Sequence, residues 1–155
     1  MHSVTIQDIP YRADSENLFA AVRDLPDAIW LDSGKPRSLQ GRFDIISACP
    51  DALIETRGEL STITDANGVN TSTEDPFSLL TALLEPLLGV DPGMSAHPFV
   101  GGIMGYFGYD LGRRLVAIPD RAKQVAKLPD MRVGRYLWSL VINHSAQQSQ
   151  LYFHQ

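Results

Sequence analysis

The chain has 155 residues, of which 44% are hydrophobic, and its formal net charge at pH 7 is -5. This size and composition predict one globular domain that spans residues 1–155 and has its own core. Nucleic acid and anionic membranes attract concentrated Lys and Arg. The chain has no such concentration, so the sequence excludes both as primary partners.

The cysteine and histidine content argues against two kinds of stabilising site. Cys49 is the single cysteine, so it has no partner for an internal disulfide, and His2, His97, His144 and His154 lack the spacing of a zinc site. The N-terminus shows no basic-then-apolar signal pattern, and no apolar run is long enough to cross a bilayer. These features favour a reducing cytoplasm as the location.

The N-terminal segment predicts a strand followed by a helix. Residues 4–9 alternate moderately in polarity, as a strand does. Asp14 or Ser15 can cap a helix whose apolar positions recur at helical spacing, and Pro26 is expected to end it.

A β-hairpin and a short meander are predicted next. Residues 28–31 form a short apolar run that predicts a buried strand, and residues 42–48 predict a second strand that pairs with it across a long connection. The strongest turn signal is Asn67-Gly68, because both residues tolerate positive φ at the two central positions of a hairpin turn. Further strands are predicted at residues 52–57, 60–65 and 69–73.

A second helix begins with Asp75 at the cap and Pro76 at the first helical position. Gly89 is expected to end it, and residues 90–97 then predict a surface loop. The helix presents a wide apolar face that consists of Phe77, Leu80, Leu83, Leu84, Leu87 and Leu88.

Residues 101–114 combine five glycines with aromatic residues and an arginine pair. Glycine adds entropy to the cost of folding and no side chain to a core, so this stretch predicts a place where backbone must come close. We interpret residues 99–106 as a buried strand, followed by a turn near Gly108 and a short helix capped by Asp110, which pairs with an arginine one turn later. A phosphate-binding loop is disfavoured, because neither of the two glycine-rich phosphate motifs is present.

The C-terminal segment is the most apolar part of the chain. Residues 118–120 are expected to stop the short helix, and residues 121–127 to cross the surface. Residues 131–142 predict one long strand in the centre of a sheet, and residues 151–153 return after a polar loop. The chain stops within this apolar run, which predicts a fragment of a longer protein. The fold class predicted is α+β, with a largely antiparallel β-sheet and two or three helices.

No catalytic residues are predicted from the residues alone. The chain has no nucleophile elbow and no Cys-His motif, and its paired carboxylates are typical of solvated acids. A binding constellation is possible where Ser33, Arg42 and Phe43 converge at one end of the predicted hairpin. A hydroxyl, an arginine and an aromatic ring suit a small amino acid, whereas the other interpretation is an ordinary strand end with an exposed arginine.

The run GYFGYDLGRR at residues 105–114, followed by LPDM at residues 128–131, resembles the N-terminal region of component I of the chorismate-utilising synthases. This family includes aminodeoxychorismate synthase and anthranilate synthase. The resemblance runs through most of the chain and implies the N-terminal domain of that fold. Asp32 and the FDI run at residues 43–45 favour the aminodeoxychorismate branch, and the alternatives are anthranilate synthase component I or a stand-alone small-molecule binding domain.

The resemblance implies a parent enzyme that aminates chorismate to 4-amino-4-deoxychorismate for p-aminobenzoate and folate synthesis. The ammonia would come from a glutamine amidotransferase subunit. Magnesium and the catalytic residues would lie in a C-terminal chorismate-binding domain that this chain lacks. The chain itself is then expected to be catalytically silent and to act as a scaffold for that domain.

The same resemblance implies a tryptophan-binding site in the N-terminal region. Its motif is a serine after one strand and an arginine-aromatic pair at the start of the next. The residues that match it in this chain are Ser33, Gln40, Gly41, Arg42 and Phe43.

Overall fold

The computed structural model describes residues 3–35, 39–87, 96–114, 116 and 128–155. Within these ranges, ten antiparallel strands form two five-stranded sheets, accompanied by two α-helices and short 3-10 turns. The predicted α+β class is therefore confirmed, and the strands are divided between two sheets. The strands are β1 (Val4–Ile9), β2 (Ile29–Leu31), β3 (Phe43–Ser47), β4 (Ala52–Arg57), β5 (Leu60–Asp65), β6 (Gly68–Ser72), β7 (Gly102–Phe107), β8 (Met131–Tyr136), β9 (Trp138–Asn143) and β10 (Gln148–His154).

The first sheet has the strand order β1-β10-β9-β3-β2. One of its faces is covered by helix α1 (Ser15–Ala20), which Asp14 caps by accepting a hydrogen bond from the backbone N–H of Asn17. The core beneath α1 includes a stacked pair, Phe19 and Trp30, whose ring centroids lie 5.5 Å apart. The other apolar residues of this core are Ile46, Leu140 and Ile142, with Leu18, Val22, Trp138 and Leu151 around them.

The second sheet has the strand order β6-β5-β4-β8-β7. Helix α2 (Pro76–Leu84) contacts its strands β4 and β7. Asp75 caps α2 and Pro76 occupies its first turn, as the sequence predicts. The core between α2 and the sheet contains Ile54, Leu80, Leu111, Met131 and Val133.

The long strand predicted for residues 131–142 is wrong, because the chain bends at Leu137. Tyr136 pairs with Gly102 in the second sheet, whereas Trp138 pairs with Phe153 in the first. The pairing partner thus changes within two residues. A uniformly apolar run carries no signal for such an exchange, since both halves lie in sheet interiors.

Two N-terminal predictions also need correction. Helix α1 ends at Ala20, and turns rather than a helix fill the interval up to Pro26. Strand β2 is a sheet edge, and its last residue, Leu31, is 46% exposed, so the run is not a buried strand. The predicted pairing of β2 with β3 is confirmed, with Leu31 opposite Ile45.

The hairpin between β5 and β6 differs in register from the predicted turn. Asp65 pairs with Gly68, so the two loop residues are Ala66 and Asn67. Of these four positions only Gly68 has positive φ, at 113°. The glycine therefore follows the loop and does not share its centre with Asn67.

The glycine-rich stretch forms the edge strand β7 and then a 3-10 helix, Tyr109–Arg114. Its strand residues are buried only in the first half, which corrects the prediction of a buried strand. Asp110 lies inside the 3-10 helix and does not cap it, but the predicted ion pair exists, because Asp110 Oδ1 lies 2.7 Å from Arg113 Nε. The close backbone approach is confirmed at Gly105, where an added Cβ would overlap the carbonyl oxygen of Arg132.

The predicted end of the second helix at Gly89 lies outside the described residues, as do most of the 90–97 loop and the segment 118–127. Within the described part, α2 gives way to a 3-10 turn, Glu85–Leu87.

Candidate functional site

The most connected polar group is the carboxylate of Asp44, which is 0% exposed. Its Oδ1 atom accepts hydrogen bonds from the backbone N–H and the hydroxyl of Ser33, at 2.8 and 2.7 Å. Its Oδ2 atom accepts from the hydroxyl of Ser15 at 2.5 Å and lies 2.8 Å from Nε2 of His144. Two partners for each oxygen satisfy the carboxylate fully.

These hydrogen bonds keep the carboxylate ionised. Burial by itself would raise the pKa of Asp44, but the hydrogen bonds from Ser15, the Ser33 backbone, His144 and the Ser33 hydroxyl together lower that pKa below its usual value. An ionised carboxylate only accepts hydrogen bonds, so all four partners act as donors toward it.

His144 extends this cluster toward the surface. Its Nδ1 atom lies 3.2 Å from the hydroxyl of Tyr11, and its backbone N–H donates to the carbonyl of Arg42. A cleft of about 210 Å³ adjoins the ring and is lined by Tyr11, Ala13, Lys35, His144 and Ser145.

Local structure explains why these residues meet. Asp44 lies opposite Ile142 in the pairing of β3 with β9, so His144 follows directly at the end of the partner strand. Ser15 is the first residue of α1, and Ser33 follows the end of β2. Donors from three separate elements therefore converge on the carboxylate that β3 carries.

Two of the predicted tryptophan-site residues, Ser33 and Gly41, touch each other beside this cluster. A Cβ added to Gly41 would overlap the carbonyl of Ser33 and lie 2.9 Å from its hydroxyl oxygen. A residue with a side chain at position 41 would therefore clash with Ser33, so glycine is required there. Gln40, the residue before it, is exposed.

The other two predicted residues, Arg42 and Phe43, line a different cleft. The guanidinium of Arg42 lies 4.5 Å from the centroid of the Phe43 ring. Phe43 points to the sheet face opposite Asp44, because neighbouring strand residues alternate. Among the described residues, Arg42 forms no salt bridge. The cleft measures about 150 Å³, and its further lining consists of Ala96, His97, Pro98, Val141, Asn143, Gln148, Gln150 and Tyr152.

Sequence reasoning did not predict the central role of Asp44 or the parts played by His144, Tyr11 and Ser15. One signal was present. Asp44 is the only charged residue within β3, and an acid in such an apolar run must either face solvent or find donors.

A second polar cluster joins the second sheet to the turn that precedes β2. Arg132, on β8, places its two terminal nitrogens 2.6 Å from Asp27 Oδ1 and 2.6 Å from Glu55 Oε2. The hydrogen bond that Arg132 donates to Asp27 raises the pKa of Arg132; burial opposes this rise, and the hydrogen bond to Glu55 adds to it. Tyr136 donates to the carbonyl of Asp27 at 2.9 Å, and burial together with that aspartate raises the pKa of Tyr136 to about 12.

Neither a metal site nor a membrane span is found in the part of the chain that the structure describes. There, no three His, Cys, Asp or Glu side chains are grouped so that they could hold a metal ion. No described helix has the length and apolar character that a bilayer crossing requires.

Curated relatives match nearly the whole chain. Aminodeoxychorismate synthase component 1 of Klebsiella aerogenes is 39% identical over 154 residues, which cover 98% of this chain and 34% of the relative. The protein of the same name from Salmonella typhimurium is 40% identical over 149 residues, covering 94% of this chain and 32% of the relative. Anthranilate synthase component 1 of Mycobacterium bovis is 34% identical over 128 residues, which cover 77% of this chain and 24% of the relative.

A solved structure shares the fold. Anthranilate synthase component I of Streptococcus pneumoniae superposes with a TM-score of 0.58 at 24% identity, over 72% of this chain and 24% of that chain. No family profile matches the chain.

These comparisons show what the chain resembles: over most of its length it is similar to the N-terminal region of component I of aminodeoxychorismate and anthranilate synthases. Within this class, relatives named aminodeoxychorismate synthase component 1 match it at 36–40% identity, which confirms the resemblance. The chain spans about a third of the length of those relatives.

Proposed function

We propose that the chain is the N-terminal region of an aminodeoxychorismate synthase component I, whose activity is to aminate chorismate to 4-amino-4-deoxychorismate for p-aminobenzoate synthesis. The supporting observation is the 39% identity to a protein of that name across 98% of this chain. The parent enzyme is cytoplasmic in this proposal. Reading the gene beyond the codon for Gln155 tests it, since about twice the present length should follow in frame.

In this proposal the chain alone does not turn over chorismate. The Ser15, Asp44 and His144 cluster has a different order from a catalytic triad, because the carboxylate lies between the serine and the histidine. The Ser15 hydroxyl therefore donates to the carboxylate and, in the described part of the chain, forms no hydrogen bond with the imidazole of His144. Incubating the chain with chorismate, ammonium and magnesium should give no aminated product by chromatography, and product formation would contradict the scaffold role.

The C-terminal chorismate-binding domain is the proposed partner of an exposed aromatic surface on β7. Phe107 is 52% exposed and stacks on Phe77 with ring centroids 6.1 Å apart, and Tyr109 is 92% exposed. Exposed aromatic groups beside a sheet edge are typical of contact surfaces. In the full-length enzyme, hydrogen exchange of residues 102–107 should be slower than in this chain alone.

Magnesium and the amidotransferase are assigned to the remainder of the enzyme. The described residues include no group of three His, Cys, Asp or Glu side chains that could hold a metal ion, and magnesium is proposed to bind in the C-terminal domain. The glutamine amidotransferase subunit supplies ammonia in this proposal. Co-purification of the amidotransferase subunit with the full-length enzyme and with this chain alone tests which part of the enzyme the subunit binds.

A tryptophan-binding site at Ser33, Gln40, Gly41, Arg42 and Phe43 is also proposed. Contact between Ser33 and Gly41 supports it, as does an arginine without a salt bridge in the described part of the chain. Calorimetry with tryptophan on the full-length protein should give measurable affinity, and Arg42→Ala should weaken binding by about 1.5–3 kcal/mol if the guanidinium meets the carboxylate. Unchanged affinity in both Arg42→Ala and Ser33→Ala would refute the site.

Anthranilate synthase component I is the second candidate function, and the 34% identity to the Mycobacterium bovis protein favours it. The product distinguishes the two, because anthranilate synthase releases pyruvate. A stand-alone small-molecule binding domain is the remaining alternative, and the absence of further reading frame would favour it.

A further inference from the structure

We propose that the Asn67-Gly68 pair is a site of spontaneous chemical modification, at which Asn67 loses its side-chain nitrogen as ammonia and becomes aspartate or isoaspartate. The modified turn then loosens strand β6 at the edge of the second sheet. Only the hairpin between β5 and β6 takes part, so the modification is independent of the function proposed above.

The sequence singles out Asn67 among the asparagines. Of the four asparagines, at positions 17, 67, 70 and 143, Asn67 is the one that a glycine follows. Glycine has no Cβ beside its backbone nitrogen, so this nitrogen can approach the side-chain carbonyl carbon of the residue before it. The other three asparagines precede Leu18, Thr71 and His144, whose side chains hinder that approach.

The reaction needs only the chain and water. The backbone nitrogen of Gly68 attacks Cγ of Asn67, and the new C–N bond closes a cyclic imide. The side-chain nitrogen leaves as ammonia and takes the proton that the Gly68 nitrogen gives up. Water then opens the ring at one of its two carbonyl carbons. Opening at Cγ gives aspartate, whereas opening at the main-chain carbonyl gives isoaspartate, in which the backbone runs through the side chain.

The structure leaves this pair open to solvent. Asn67 and Gly68 are both exposed, and a Cβ added to Gly68 would meet no atom within 4 Å. Gly68 pairs with Asp65 at the end of the hairpin, so the ring closes when this end opens. Opening should occur readily, because four of the five β6 residues are exposed and β6 is the last strand of its sheet in the described part of the chain.

The modification reverses a contact that holds the turn. Asn67 donates from its backbone N–H to Asp65 Oδ1 at 2.8 Å and from its side-chain Nδ2 to Asp65 Oδ2 at 3.4 Å. When a carboxylate replaces the amide, the side-chain hydrogen bond is lost and two negative groups face each other. Like charges at this spacing repel. Either product therefore destabilises the turn.

Isoaspartate also changes the length of the backbone. Ala66 and Asn67 are the two loop residues, and the length of such a loop sets the register of the strands that it joins. Isoaspartate adds a carbon to the main chain of this loop. The pairing of Asp65 with Gly68 is then mismatched, so the start of β6 should separate from β5.

Peptide mapping of the full-length protein, incubated at mildly alkaline pH, tests the modification. Cleavage after Glu59 and Glu74 releases a single peptide that spans residues 60–74. Asn70 lies in the same peptide, is exposed and precedes threonine, so it is the internal control. Mass spectrometry should show Asn67 converted about tenfold faster than Asn70, or more. Equal rates would overturn the inference, and so would conversion in the free 60–74 peptide without conversion in the folded protein.

The variant Gly68→Ala tests the route through the ring. The alanine Cβ shields the attacking nitrogen and should slow the conversion of Asn67 by about tenfold or more. Alanine is strained at the φ of 113° found there, so slower conversion would not come from a firmer turn. Direct hydrolysis of the amide would be insensitive to residue 68 and would give aspartate alone. Absence of isoaspartate, assayed with an isoaspartyl methyltransferase, would overturn the proposed route.

Hydrogen exchange tests the effect on β6. Anion exchange separates the modified protein, which carries an additional negative charge. Its residues 69–72 should exchange amide hydrogens about tenfold faster than in the unaltered protein, whereas the interior strand β4 should be unaffected. Asn67→Asp is the matched variant, because it adds the charge without the extra backbone carbon, and its increase should be smaller than that of the isoaspartate form. Unchanged exchange at residues 69–72 in the isoaspartate form would overturn the effect on β6.

Discussion

His144 follows Asp44 by 100 residues in the sequence, yet its Nε2 atom lies 2.8 Å from Oδ2 of that carboxylate. The pairing of β3 with β9 creates this contact, because Asp44 lies opposite Ile142 and His144 is the second residue after Ile142, on the same side of the chain. The carboxylate thereby joins the first helix, two strand ends and the chain segment that contains Tyr11. We expect this group to control both stability and the local shape of the proposed binding site.

Stability should fall with acid because of Asp44. The pKa of this carboxyl lies below its ordinary value of 3.8, so the unfolded chain takes up the proton first as the pH falls. The stabilising contribution is complete above pH 3.8 and is lost as the pH falls through the lower pKa of the folded state. Each unit of that difference corresponds to about 1.4 kcal/mol.

Urea unfolding of the unaltered protein and of Asp44→Asn, measured between pH 6 and 3, would detect this contribution. The difference in unfolding free energy between the two proteins should narrow below pH 3.8. Asp24→Asn is the matched control, since the Asp24 side chain is 92% exposed and should leave the profile unchanged. A constant difference across the whole range would contradict the prediction.

Gly105 and Gly112 should respond oppositely to alanine. A Cβ at Gly105 would overlap the backbone of Arg132 and its neighbour, and φ there is 156°, whereas Gly112 has nothing within 4 Å of an added Cβ. Gly105→Ala should lower the unfolding free energy by about 2–4 kcal/mol, because backbone on the adjacent strand cannot move aside. Gly112→Ala should change it little, and equal effects in thermal or urea unfolding would show that the close approach is not required.

Arg132 should contribute through its two carboxylate partners. Its side chain is 37% exposed, so solvent screening limits the effect, and we expect Arg132→Gln to cost about 1 kcal/mol of unfolding free energy. Arg23→Gln serves as the control, because Arg23 is 63% exposed and lies 3.8 Å from its acidic neighbour. High salt should reduce the difference in unfolding free energy between the two variants. A difference in unfolding free energy that salt leaves unchanged would argue against an ionic origin.

The phenol of Tyr136 should lose its proton only at unusually high pH. Its pKa is raised to about 12 by burial and by the nearby Asp27 carboxylate. In a spectrophotometric titration near 295 nm, Tyr136→Phe should remove the absorbance change centred near pH 12. Tyr109 is 92% exposed, so Tyr109→Phe should leave the absorbance change at high pH in place. Because the raised value belongs to the folded state, stability is present below pH 10 and is lost as the pH rises through about 12.

Local signals predicted the elements that depend on local physics. The cap at Asp75 followed by Pro76 predicted the start of α2, and alternation with turn residues predicted strands at residues 52–57 and 60–65. The glycine-rich stretch indicated a close backbone approach, and Gly105 shows where it occurs. Residues that are close together in the sequence determine each of these features, so the sequence is sufficient to predict them.

Features that depend on distant partners were not predictable in the same way. The break at Leu137 occurs inside an apolar run, because the partner strand changes from β7 to β10 there. Asp44 is a single acid in an apolar strand, and its donors come from positions up to 100 residues away. Periodicity and propensity contain no information about either pairing.

The bend at Leu137 has a consequence for how the protein melts. The polypeptide passes from an interior strand of one sheet to the central strand of the other through this single residue, so neither sheet can lose its order without displacing a strand that the other needs. Calorimetric heating should therefore show one cooperative transition whose van't Hoff and calorimetric enthalpies agree. The two five-stranded layers would then behave as one thermodynamic unit.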